Sequence, residues 1–140
     1  MKILSYAEFK QRVTVAFESL CQKGYICRQD FMCCQSCGCH AISQIEKVAG
    51  QDNPKFVFWH NKDTSGFHDE TVNYKRKMRG HKRLQAMGSD SPLPKPPGLY
   101  VSWGGGNGKE IVKALNDERL VTKWDGGDGQ RIWISAYWKP

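Results

Sequence analysis

No stretch of this 140-residue chain approaches the roughly 20 consecutive apolar residues that a membrane-spanning helix requires. The first twelve residues, MKILSYAEFKQR, lack a hydrophobic h-region and a small-residue cleavage site, so they do not read as a secretory signal. A cytoplasmic, reducing location is therefore expected, and the six cysteines are expected to be free thiols or metal ligands and not three bridges. Several catalytic signatures are also missing. There is no G-x-S-x-G, no H-E-x-x-H and no paired-carboxylate motif, which removes the commonest hydrolase patterns. No helix-turn-helix, zinc-finger or aromatic RNA-binding signature occurs. Trp103-Gly-Gly-Gly-Asn-Gly108 precedes an expected helix but continues Lys109-Glu110, with an acid where a phosphate-binding loop needs a hydroxyl, so it reads as a strand-to-helix turn.

What is present is ordinary for one folded domain. Apolar residues make up 39% and charged residues 25%, fractions that argue against global disorder. Acids are scarce in one place. From Asn73 to Pro97 seven cations face the single acid Asp90, so this stretch carries +6 of the chain's +7. The basicity belongs to a segment, and an anionic partner should be sought there.

Periodicity predicts the elements. Residues 5–23 form an amphipathic helix, with Ser5 and Glu8 as a capping box and Phe9, Val13, Ala16, Phe17 and Leu20 as its buried stripe. A strand follows over Tyr25–Met32, then the turn CCQSCGCH, then a short helix over Ala41–Ala49 with Ile42, Ile45 and Val48 inward, ended by Gly50, Asp52, Asn53 and Pro54. Residues 55–60 are a strongly apolar strand. Asn61–Gly98 is expected to hold one or two helical turns and then an extended, Pro-rich connection, within which residues 69–97 form a basic insert. Leu99–Trp103 is a strand, Asn107 caps a helix through Leu115, and Leu120–Trp124 and Arg131–Trp138 form a hairpin around a Gly-Asp turn. The fold class expected is α+β: a single mixed or antiparallel sheet of about five strands packed by two or three helices in one domain, residues 1–140.

Cys34-Gln-Ser-Cys37 is a C-x-x-C on a strand-to-helix turn. That spacing brings two sulfurs to one side, which suits chelation of zinc or another soft metal. It also suits a dithiol whose thiolate is favoured by a helix N-terminus, and it is compatible with small inert thiols in a core. One C-x-x-C is half a zinc site, and no second one exists. The metal candidates beside Cys34 and Cys37 are Cys33, whose adjacency to Cys34 strains chelation by both, Cys39 and His40, which are close in sequence, and His60, the expected distant ligand because its strand ends near the turn. Cys21 and Cys27 read as core thiols.

Phe31-Met-Cys33-Cys34-Gln-Ser-Cys37-Gly38 resembles the signature of an uncharacterised bacterial domain family of unknown function. Trp59-His60-Asn-Lys-Asp63-Thr64, the strand Leu99–Gly104, and Trp124-Asp125-Gly126 followed by Arg131-Ile132 are similar to its later segments. The resemblance spans most of the chain except the N-terminal turn and the basic insert. It implies no activity, only a set of polar positions: Cys33, Cys34, Cys37, His60, Asp63 and Asp125. Cys21, Cys27, Cys39 and His40 fall outside that pattern, and Lys62 stands where the family has Gln.

Lys75, Arg76, Lys77, Arg79, Lys82 and Arg83 form an electrostatic footprint for a polyanion, and Tyr74 and His81 could stack on bases. These features lead to the expectation of a small intracellular binding module, more a binder than an enzyme. It would contact nucleic acid or a nucleic-acid-processing protein, as a bacterial or phage regulator or inhibitor would, and carry a metal-binding or structural Cys turn with zinc as the candidate cofactor. The alternative is a thiol-dependent enzyme at Cys34 and Cys37.

Overall fold

The structure, a computed structural model, describes residues 2–45 and 53–139. In chain order its elements are β1 (Lys2–Ile3), α1 (Tyr6–Gln22), β2 (Ile26–Arg28), α2 (Gln35–Ser43), β3 (Phe56–Phe58), α3 (Asn61–Ala86), β4 (Gly98–Gly104), α4 (Gly108–Asp117), β5 (Leu120–Lys123) and β6 (Ile132–Trp138). The fold is α+β, as expected, with four helices among the described residues and a six-stranded mixed sheet. The strands run in the order β1-β6-β4-β3-β2, and β5 also pairs with β6. Only β2 and β3 are parallel; every other pairing is antiparallel. No helix among the described residues is long and apolar enough to cross a membrane.

α1 forms as its pattern dictates. Ser5 Oγ accepts from Glu8 N at 3.2 Å and Glu8 Oε1 accepts from Ser5 N at 3.1 Å, which satisfies two otherwise orphaned donors. Phe9, Val13, Ala16, Phe17 and Leu20 are all buried. They meet Val57 and Trp59 of the β3 segment, Leu99 and Val101 of β4, Ile132, Ile134 and Ala136 of β6, and Ile111 and Leu115 of α4 in one core. Alternation sends the intervening residues of the same strands to the opposite face. There Phe58 packs with Ile26 and with Ile42 of α2 in a second, smaller cluster joined by Phe31 and Phe56.

Three sequence expectations are corrected. α2 begins at Gln35 and not at Ala41, so the Cys turn is the start of the helix and not a loop before it. Ile42 is buried as expected, while Val48, Gly50 and Asp52 lie outside the described residues. β2 stops at Arg28, because Asp30 and Met32 take positive φ (52° and 65°) and bend the chain where the expected strand ran to Met32.

The third correction is the largest. The segment expected to hold one or two helical turns is a 26-residue helix, α3. Its capping box of His60 and Asp63, and a Pro-free run rich in Lys and Arg and ending Leu84-Gln85-Ala86, favour helix more than Gly66 and Gly80 oppose it. The prolines act only downstream, in the extended stretch that leads into β4. That stretch is tied back to α3: Ser91 Oγ lies 2.6 Å from Nδ1 of the buried His81, and Gly98 N donates to Glu70 Oε2 at 2.9 Å. β1 was not foreseen; its two residues are a strand only because they pair with Tyr137 and Trp138.

Gly38 sets how closely α2 approaches the sheet. A Cβ there would lie 2.3 Å from the Phe58 ring. Gly38→Ala is therefore expected to lower stability by about 1–3 kcal/mol through overpacking, despite the better helix propensity of Ala. Thermal or denaturant unfolding of the variant measures it, and an unchanged midpoint would contradict this packing.

Candidate metal centre

The parallel pair β2–β3 positions the site. Each of these strands runs forward into a helix, so the starts of α2 and α3 lie at the same end of the sheet, outside the carboxyl ends of the two strands, where α/β sheets commonly place ligands. Backbone bonds hold the two exits together: Phe31 N donates to Trp59 O at 2.8 Å and Asn61 N to Met32 O at 2.9 Å. Thr64 Oγ1 adds a bond to Asp30 Oδ1 at 2.7 Å. The left-handed Asp30 and Met32 then turn Cys33 and Cys34 onto the end of α2.

Cys34 is the N-cap of α2, and Cys37 is its third residue. The Cys33 and Cys34 sulfurs are 3.9 Å apart, and the Sγ atoms of Cys33, Cys34 and Cys37 all lie within 4.8 Å of one another. Tetrahedral coordination with Zn–S bonds of about 2.3 Å requires sulfurs about 3.8 Å apart, so a small contraction would bring this trio to metal-binding geometry. The cluster is accessible: Cys33 is exposed and Cys34 half-buried.

The thiols are electrostatically unequal. The Ser36 hydroxyl, 3.4 Å from Cys34 Sγ, and then the Cys37 backbone N–H stabilise the Cys34 thiolate and bring its pKa down to about 6. The neighbouring Cys33 and Cys34 sulfurs push Cys37 up to about 11. One thiolate is thus favoured at neutral pH, and a cation in the cluster would be needed to hold Cys37 as a second.

His60 does not join the three sulfurs. It is buried as the N-cap of α3, its Nδ1 accepts from Asp63 N at 3.3 Å, and its Nε2 lies 3.2 Å from Asp63 Oδ2. Burial pushes its pKa below the usual histidine value. Asp63 in turn accepts from His60 N and from Arg131 Nη2. Asp125 lies elsewhere, accepting from Gly127 N at 2.7 Å in the hairpin turn. Sequence reasoning missed Arg131 as the partner of Asp63 and Ser36 as the hydroxyl on Cys34. The signal for Ser36 was its place inside the C-x-x-C; nothing local signalled Arg131.

The other cysteines stay apart from the trio. Cys27 donates to Phe17 O at 3.5 Å and is pushed up to about 12 by burial, and Cys39 packs against the smaller core cluster. The glycines before α4 serve packing: a Cβ at Gly105 would lie 2.1 Å from Pro54 O, and one at Gly106 would lie 2.2 Å from Tyr25 Oη.

Lys75, Arg76, Lys77, Arg79, Lys82 and Arg83 are all exposed on α3, and none forms an ion pair among the described residues. At 100° per residue, all but Lys77 fall within an arc of about 120°. The continuous helix therefore gathers five of the six cations into a stripe, which one or two turns would not have done.

No curated protein and no solved structure matches the chain. A family match covers residues 8–89, from the first turn of α1 past the end of α3. It therefore takes in the Cys turn, the His60–Asp63 cap and also the basic helix, beyond the span of the resemblance, and it leaves out the C-terminal hairpin. On that match the chain belongs to the family described as domain of unknown function DUF6891.

Proposed function

We propose that this protein is a small binding module in which Cys33, Cys34 and Cys37 hold one soft metal ion, zinc in the first instance, and the basic stripe of α3 contacts nucleic acid. The observation that carries the metal reading is the convergence of three sulfurs within 4.8 Å on one helix start. Soft thiolates select zinc or copper(I) over magnesium or calcium. The fourth position is open to water or an outside ligand, because bringing His60 to the metal would require its ring to leave Asp63. Such a module suits a regulator or inhibitor of a nucleic-acid-processing machine: the metal would stiffen the joined starts of α2 and α3, and α3 would present the charge.

The test is elemental analysis of protein purified without chelator. About one equivalent of zinc or copper is expected, and cobalt loading should give thiolate-to-metal charge-transfer absorption. Metal loss in His60→Ala would recruit His60 as a fourth ligand. Metal-free protein with one fast-alkylating cysteine would instead favour a thiol oxidoreductase. That second reading draws on the placement of Cys34 at the helix N-cap with Cys37 one turn behind it. In it, the Cys34 thiolate attacks a substrate disulfide, and Cys37 displaces the substrate's second thiol as the Cys34–Cys37 disulfide forms.

A further inference from the structure

Away from the cysteines and from the stripe of α3, the sheet face opposite the main core bears a cleft of about 410 Å³. Small-molecule sites commonly run from about 300 to 1,000 Å³. Alternation builds it. Leu99 and Val101 of β4 and Ile132 and Ile134 of β6 point into the core, so Tyr100, Arg131 and Trp133 point the other way. Tyr100 is 46% exposed, unusual for a large aromatic in the middle of a sheet.

Cations converge on this cleft. Lys95 Nζ lies 4.4 Å and Lys123 Nζ 5.8 Å from the centre of the Trp133 ring, and all three residues line the cleft. Neither lysine has a carboxylate partner among the described residues. The Arg131 guanidinium lies 5.4 Å from the Tyr100 ring centre, fixed there by Asp63 and by Tyr100 O at 2.8 Å. Its buried Nε has no hydrogen-bond partner among the described residues. The one acid in the lining is the exposed Asp125, one of whose oxygens is held by Gly127 N.

An exposed aromatic ring, two unpaired ammonium groups and one carboxylate make a divided surface. The ring suits a base, the ammonium groups suit a phosphate, and a carboxylate suits ribose hydroxyls, which donate hydrogen bonds to it. A simple anion would leave the exposed Tyr100 ring without a role and would be repelled by Asp125. An apolar ligand would leave the lysines without a role. We infer that this cleft binds a ribonucleotide unit, with the base against Tyr100, the phosphate between Lys95 and Lys123, and the ribose at Asp125. The unit could be a free mononucleotide or one residue of a single-stranded RNA, since both offer the same three groups. The cleft is separate from the α3 stripe, so it does not depend on the nucleic-acid reading above.

The experiment is calorimetric titration of the full chain with AMP and UMP, with a hexaribonucleotide, and with inorganic phosphate and adenosine as partial ligands. Saturable binding of a mononucleotide or the hexamer is expected, at least tenfold tighter than of phosphate or adenosine alone. Tyr100→Ala should weaken it by about tenfold or more, as loss of a base–aromatic stack does. Lys95→Gln with Lys123→Gln should weaken it as much and flatten its salt dependence. These side chains are exposed, and unchanged unfolding midpoints would confirm intact folds. Replacing the six α3 cations with Ser should leave mononucleotide binding unchanged, which separates this site from the basic helix. Mononucleotide binding assigns the free ligand, and binding of the hexamer alone assigns RNA. Absence of binding to both, or binding indifferent to Tyr100, Lys95 and Lys123, would overturn the inference.

Discussion

Cys34→Ser is expected to weaken soft-metal binding by more than about 100-fold, beyond the 10- to 100-fold that loss of an outer-shell partner typically costs. The Cys34 pKa is lowered to about 6, which favours its thiolate at neutral pH, and Ser cannot supply a comparable anionic ligand. Cys37→Ser should also lose metal, but Cys21→Ser should not, since Cys21 lies outside the trio. Competition with a chromophoric chelator measures all three. The metal-free protein adds a pH signature. An acid with a lowered pKa is ionised above that value and neutral below it. Iodoacetamide should therefore modify Cys34 increasingly as pH rises through about 6, whereas Cys37, at about 11, stays slow across that window. Equal metal affinity in Cys34→Ser and wild type would end the three-thiolate reading.

Substituting Lys75, Arg76, Lys77, Arg79, Lys82 and Arg83 with Ser is expected to abolish duplex DNA binding, for which a cleft sized to one ribonucleotide unit is no substitute, while the fold persists. These side chains are exposed, and the core draws on α3 through Phe67, with His81 buried further along. If all six contact phosphates, the slope of log affinity against log salt should approach about −5 on duplex DNA and about −4 on a single strand. If only the stripe binds, dropping Lys77, each slope should shrink by about one-sixth. Labelled DNA and RNA titrated at two salt concentrations, beside an acidic protein control, read this out. Duplex DNA binding that survives the six substitutions would move the polyanion surface off α3, and salt-insensitive binding would remove phosphate contacts as its source. Binding to the acidic protein alone would make the partner a protein surface.

Features with local causes are legible in the residues alone. A capping box and a 3.6-residue stripe specify α1, and an Asn cap ahead of Ile111 and Leu115 specifies α4. Two-residue alternation specifies β4 and β6 and their hairpin partner. The C-x-x-C spacing located the candidate centre, because a sulfur pair three residues apart meets on any helical turn. The close approach of Cys33 to the other two sulfurs and the inequality of the thiols depended on α2 starting at Gln35, which the Cys-rich turn concealed. The length of α3 was concealed by the prolines beyond it, although its own residues favour helix. Other features were decided only when distant segments met. β1 exists through its pairing with the far end of the chain. Asp63 and Arg131 are 68 residues apart, and their bond needs β3 and β6 on either side of β4. His60 was expected among the thiols from the position of its strand, but its ring caps α3 and faces Asp63. Periodicity reports which face of an element is apolar. It does not report which distant partner a polar side chain on the other face will meet, because that follows from strand order and register, fixed only when the core packs.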